Sequence, residues 1–296
     1  MEKKNGLIGL LFVAAAAVIF SQSCSKDDNG SISATDIALA KDDAYVEALF
    51  DELDDLAITE LTSLDENDYQ TTGLKSTSEG NCYTVTVNHP DTTTFPKEIT
   101  IDFGNGCTLV FNGDSITRSG QINISISNRW SVQNAVQVMT FHNFYFNGAK
   151  IEGTRTMTNN GLNEQNRLEI ATQLENGKVT FGENAFMTRT ASHVREWKRY
   201  QNPLNDTIFV SGSANGSNVL GEAYNREITE PLVLVHCAEL QYRWAVASGK
   251  VSVTNSSRGN MIIEHTGNEC DGDVVIEKDG DQYKYQFRYR HNNNKQ

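Results

Sequence analysis

The sequence predicts a mainly β protein: a large antiparallel sandwich or curled sheet, rich in hairpins, with one N-terminal amphipathic helix packed on it. Three observations lead there. Short stretches of apolar/polar alternation fill the chain from about residue 77 onward. Asn-Gly and Asp-Gly pairs punctuate that region. A helical periodicity occurs once, ahead of it.

The elements follow in chain order. Lys3 and Lys4 precede an apolar run from Leu7 to Phe20 and then the small residues Ser21-Gln22-Ser23. This is the pattern of a secretory signal peptide over residues 1–23. The run is too short to span a bilayer comfortably, which takes about 20 apolar residues. An ordinary peptidase can cut after Ser23, or Cys24 becomes the first residue and is acylated. A strict lipidation box has Leu three places before the cysteine, where this chain has Ser21. The sequel favours lipid: Ser25-Lys26-Asp27-Asp28 resembles the Lys-acidic-acidic export tether behind the lipidated cysteine of surface lipoproteins of the Bacteroidota. The resemblance implies an acyl (palmitate-type) anchor on Cys24, a tether over residues 24–34, and an outer-membrane protein exposed at the cell surface.

Of five cysteines, four remain once Cys24 carries lipid. An exported chain with an even number reads as disulfide-bonded. Cys82–Cys107 and Cys237–Cys270 are the expected pairs, because each closes a comparably short loop. Two other pairings, and four buried free thiols, are the alternatives.

The chain has 38 Asp+Glu against 25 Lys+Arg, a net charge of −13. Such a surface excludes nucleic acid, whose binding is led by basic contacts to phosphate. It is also repelled by anionic lipid heads, so membrane contact is expected through the acyl chains.

Residues 35–66 carry the helical pattern: Val46, Leu49, Phe50, Leu53, Leu56, Ala57 and Leu61 recur on one face. Ser33 or Thr35 is placed to cap it. Asp42, Asp43, Asp51, Asp54 and Asp55 fall on the other side and read as a solvated acidic face rather than a calcium site, since calcium needs a turn with spaced ligands.

Residues 77–296 read as the β domain, as one unit or as two related halves. Tyr83–Val87, Ile99–Phe103, Ile122–Asn128 and Tyr283–Arg290 alternate with period two. In the last, Tyr283, Tyr285, Phe287 and Tyr289 share a face opposite Lys284, Arg288 and Arg290. Hairpin turns are expected at Asn105-Gly106, Asn112-Gly113, Asn147-Gly148, Asn160-Gly161, Asn176-Gly177, Asn215-Gly216 and Asp279-Gly280. Cys82 to Cys107 and Cys237 to Cys270 each run through strands to a Gly-Asn-x-Cys turn, which suggests one stapled hairpin used twice.

Chemistry-bearing motifs are sparse. Gly212-Ser213-Ala214-Asn215-Gly216 has its serine misplaced for a nucleophile elbow and reads as a hairpin turn. His89, His142, His193, His236, His265 and His291 are scattered without metal-ligand spacing. His236 adjoins Cys237, but a disulfide is the stronger expectation there than a thiol nucleophile. Phe141–Phe146 breaks strict alternation, as a bulge would, and Trp197 sits among Arg195, Lys198 and Arg199. These rings are core or lie under arginine stems, or else stack on sugars. Asp91-Thr92-Thr93, Asp114-Ser115-Ile116 and Asp206-Thr207-Ile208 resemble O-glycan acceptors of the same bacteria.

"FPKEITIDFGNGC", "KIEGTRTMTNNG", "ITEPLVL" and "GNECDG" resemble a set of Bacteroidota envelope lipoproteins without assigned function. The resemblance implies a β-rich body and no catalytic residues. No catalytic residue, metal site or cofactor is therefore expected. The expected role is non-enzymatic: structural, adhesive or partner-binding, with an envelope protein or glycan as partner. The alternative is a module for a glycan or a small apolar ligand held where the helix crosses the mouth of a curled sheet. A hydrolase is the remaining alternative; it needs two carboxylates about 5–10 Å apart, which no spacing here singles out.

Overall fold

A computed structural model describes residues 32–69, 73–77, 80–111, 114–237, 243–267 and 272–286. Cys24, the tether Ser25-Lys26-Asp27-Asp28, Cys270, Phe287, Arg288, Tyr289 and Arg290 lie outside the described residues.

Helix α1 spans Ala34–Glu66. Ser33 caps it: its hydroxyl accepts from the Asp36 N–H, and the Asp36 carboxylate accepts from the Ser33 N–H in return. Val46, Leu53 and Leu61 are fully buried, as the apolar spacing predicts, and Leu64 extends the stripe; each contributes about 1.5–3 kcal/mol.

Among the described residues fifteen strands form one antiparallel sheet: β1 Gly73–Thr77, β2 Gly80–Val87, β3 Lys97–Asp102, β4 Cys107–Phe111, β5 Asp114–Ile126, β6 Val136–Phe146, β7 Ala149–Leu162, β8 Leu168–Phe181, β9 Ala185–Lys198, β10 Thr207–Ser217, β11 Ala223–Cys237, β12 Arg243–Asn255, β13 Gly259–His265, β14 Asp273–Lys278 and β15 Asp281–Gln286. Each pairs with its chain neighbour, with one exception. β3 and β4 lie in line on successive stretches of β5, with Asp102 opposite Gln121 and Cys107 opposite Arg118. The turn at Gly104-Asn105-Gly106 separates them. Of the two expected architectures, the single curled sheet is the one observed, and its first strand begins at Gly73, ahead of residue 77.

Asn147-Gly148 and Asp279-Gly280 make two-residue hairpins with positive φ at both positions. Asn160-Gly161, Asn176-Gly177 and Asn215-Gly216 do not turn the chain; they lie inside β7, β8 and β10. The first two sit at register slips, so they bend strands instead of ending them. Gly216 permits a close pass: a Cβ there would fall 1.9 Å from the Thr188 carbonyl oxygen. The segment Gly212–Gly216 is therefore strand, not the hairpin turn expected. A local dipeptide cannot distinguish these roles, because both need a backbone free of a side chain. Phe141–Phe146 does contain a bulge, between Thr140 and Tyr145.

The bends curl the sheet around the helix. Along α1 from Asp42 to Ile58 every residue is buried or half-buried, so the helix is covered on all sides there.

Candidate ligand cavity and its charged wall

The acidic side of α1 is not solvated. Asp43 and Asp54 are buried, and the carboxylates meet arginines that project inward from the sheet. Asp43 lies 2.7 Å from Arg189 on β9 and 3.1 Å from Arg226 on β11. Glu47 contacts Arg189 and Arg226, and lies 3.4 Å from His193. Asp51 pairs with Arg195 at 3.1 Å, and Asp54 with Arg155 on β7 at 2.6 Å. Glu52 pairs with Arg118 on β5. The expectation of a water-facing stripe fails because a curled sheet leaves the helix no outer face. Charges placed there must be paired or pay several kcal/mol each for lost hydration.

The signal for this wall was present in the strands. Arg189 falls in step with Met187, Ala191 and His193, and Arg226 with Tyr224 and Ile228, all on the buried parity of β9 and β11. Asp43, Glu47, Asp51 and Asp55 recur every fourth residue and so line one ridge of the helix.

Beside this ridge runs a cavity of about 160 Å³. Its apolar wall includes Val210, Leu232, Leu234, Trp244, Val251 and Ile263 from β10 to β13. Asp43, Glu47, Asp51, Glu52 and Asp55 line it from the helix, with Arg226 and His265 opposite. Between Asp43 and Asp55 the helix rises about 18 Å, so the cavity is long and narrow.

The electrostatics of the wall are uneven. Burial alone would raise the Glu47 carboxyl, but Arg226 and Arg189 hold it well below the usual range. Burial pushes Asp51 up to about 6 despite Arg195. It pushes Asp55 up to about 8, with Asp51, Glu52 and Asp54 adding to the effect and Arg195 offsetting part. Burial pushes His193 and His265 down to about 4, so both rings are neutral at pH 7.

The other sequence-nominated residues are dispersed. Cys82 and Cys107 form a disulfide that ties β2 to β4, strands on either side of β3 in the chain. Cys237 is disulfide-bonded as well, which removes it as a thiol nucleophile beside His236. Trp197 donates to Asp206 at 2.9 Å, lies edge-on to Trp244, and carries Arg199 over its ring. Tyr285 packs against the core with Lys41 above it, while Tyr283 and Lys284 are exposed. Asp91 is on an exposed loop and accepts from Thr93 and Thr94. Asp206 is buried. Among the described residues no group of His, Cys, Asp or Glu is disposed to hold a metal ion, and no helix is long and apolar enough to cross a membrane.

Comparison with protein-family models, with curated proteins and with solved structures finds no match.

Proposed function

We propose that this protein is a surface-exposed, outer-membrane lipoprotein whose β domain binds a small apolar ligand without transforming it. The anchor rests on the signal-peptide pattern, Cys24 and the Ser25–Asp28 tether. The binding role rests on one observation: a partly open cavity of about 160 Å³ between α1 and strands that include β10 to β13, walled largely by aliphatic and aromatic side chains. A cavity of about 150 Å³ with apolar walls is large enough to take up a small hydrocarbon ligand. This favours the ligand-binding role over the purely structural or adhesive one. The second disulfide, Cys237–Cys270, belongs to the same reading of an exported, oxidised domain.

Trp244 reports on the cavity directly. Titrating the mature chain with alcohols and hydrocarbons of increasing length should give a saturable fluorescence change and a rise in Tm. Val251→Trp, which fills the cavity, should abolish both while the circular dichroism spectrum stays intact. A folded protein that responds to none of these compounds, with or without the substitution, removes the binding role. Metabolic labelling with palmitate, lost in Cys24→Ala, tests the anchor separately.

A further inference from the structure

The sheet side of the cavity carries one imidazole among apolar residues. His265 ends the interior row of β13, in step with Met261 and Ile263, and lines the cavity. Its neighbours on that face offer it nothing polar. Across the ladder it stands opposite Gly249 on β12 and Val274 on β14. Along its own chain the same parity holds Ile263 and Gly267. Among the described residues no hydrogen bond reaches the ring. Burial and the nearby Arg226 keep it neutral at pH 7. A neutral imidazole always has one N–H to donate. That donor finds no acceptor side chain in the sheet around it, and its partly accessible ring faces the cavity.

Arg226 adds a second donor to the same wall. It is 4 % accessible, and its Nη1 makes no hydrogen bond among the described residues. Asp43 and Glu47 match its charge. Nη1 itself is covered, so His265 is the direct seat and Arg226 gives that side of the cavity its sign. The helix side is opposite in character, with Asp43, Glu47, Asp51, Glu52 and Asp55. A carboxylate head would face those side chains. An ammonium head brings only donors to a wall that already holds donors. An uncharged head with an acceptor oxygen suits both walls, the oxygen turned to the sheet and the carbon chain along the aliphatic residues.

We propose that the preferred occupant is an uncharged aliphatic chain headed by a carbonyl, its oxygen accepting from the His265 ring N–H and its chain along Leu232, Leu234 and Val251. The inference rests on the ligand-binding reading above and adds the head group and the residue that selects it. An apolar cavity of about 150 Å³ holds benzene, so the 160 Å³ here suits about six carbons. A purely apolar cavity prefers the alkane to a ketone of the same length, because the carbonyl gives up its hydrogen bonds to water on entry. A donor waiting in the wall cancels that preference.

The test compares hexane, 2-hexanone, hexanoate and hexylamine by calorimetry and Trp fluorescence on the mature chain at pH 7.5. 2-Hexanone should bind at least as tightly as hexane, and both charged compounds about tenfold or more below the ketone. His265→Leu should weaken 2-hexanone by about tenfold or more and leave hexane nearly unchanged. His265→Gln, which keeps an N–H donor, should retain most of the ketone affinity. The infrared C=O stretch of bound 2-hexanone should lie below its position in hexane solution, a sign of hydrogen bonding that needs no variant. Hexane binding far more tightly than the ketone, an unshifted stretch, equal losses of both compounds in His265→Leu, or a charged compound binding best overturns the proposal and leaves the apolar cavity standing. Failure of all four compounds to bind overturns both. If neither variant folds, the stretch and the hexane–ketone comparison on the unmodified chain decide.

Discussion

Asp54 and Arg155 are 101 residues apart in sequence and meet as a two-pronged pair inside the protein. Nε lies 3.0 Å from one carboxylate oxygen and Nη2 lies 2.6 Å from the other, with the side chains 3 % and 0 % accessible. Breaking such a pair leaves a charge without water or partner. Asp54→Ala should cost about 3–5 kcal/mol, read as a lower urea midpoint at unchanged m-value. Replacing both partners by apolar residues, Asp54→Leu with Arg155→Met, should recover most of the loss. If the double variant is no more stable than the single, the ion pair supplies stability itself and is not merely a tolerated burial.

Stability should be nearly level between about pH 4 and 6.5, where two opposing pairs of groups offset each other, and should fall above that. His193 and His265 have an ordinary value of 6.5 and are pushed down to about 4. The unfolded chain therefore binds protons that the folded one refuses, and their contribution falls as pH drops from about 6.5 to 4. Asp51 and Asp55 act in the opposite sense. Raised from 3.8 to about 6 and about 8, they keep protons in the folded state that the unfolded chain releases. Their contribution falls as pH rises from about 4, through 6 for Asp51 and through 8 for Asp55. Above pH 6.5 Asp55 dominates, so Tm should decline up to about pH 8.5. Asp55→Asn should flatten that decline; a decline of the same slope in the variant would assign it to another group.

The Cys82–Cys107 bridge closes a loop with a sequence separation of 25 residues. By the loop-entropy relation it is worth about 3 kcal/mol. Cys82→Ser with Cys107→Ser should lower stability by that order, and reductant should have a smaller effect on the double variant than on the parent. An unaltered urea midpoint would show that the packing of β2 and β4 holds this region without the bridge.

Gly216 and Gly182 separate two uses of glycine. A Cβ at Gly216 meets the Thr188 carbonyl at 1.9 Å, whereas at Gly182, with φ of +62°, nothing lies within 4 Å. Gly216→Ala should cost about 1–3 kcal/mol by forcing β9 and β10 apart. Gly182→Asn should cost less than about 1 kcal/mol, since Asn tolerates the left-handed region. Equal losses in thermal unfolding would contradict the close pass.

Several features were legible in the residues alone. Val46, Leu53 and Leu61 mark the buried stripe of α1, and Ser33 its start, because helical spacing and capping are local. The alternation in Tyr83–Val87 and Ile122–Asn128 marks strands for the same reason. Asn147-Gly148 reads correctly as a hairpin because both of its residues need positive φ. Asn215-Gly216 does not, because what it accommodates is Thr188 on a neighbouring strand. The arginines at 155, 189 and 226 carried a readable sign in their parity. Their partners did not, since a carboxylate on a helix looks the same facing water or facing a guanidinium.

By itself the sequence determined the class of the fold, the amphipathic helix and its register and the antiparallel succession of strands, and it favoured, among three pairings, the closure of Cys82 to Cys107 that the structure shows. These follow from local periodicity, turn chemistry and the small loop between two cysteines. Tertiary structure alone decided that the sheet curls far enough to surround α1. That closure turns Asp43, Asp54 and Asp55 from surface charges into interior ones, because the cost of a charge is set by the water it loses. Closure also decided where the cavity lies, since its walls come from strands some 200 residues downstream of the helix that forms its other side.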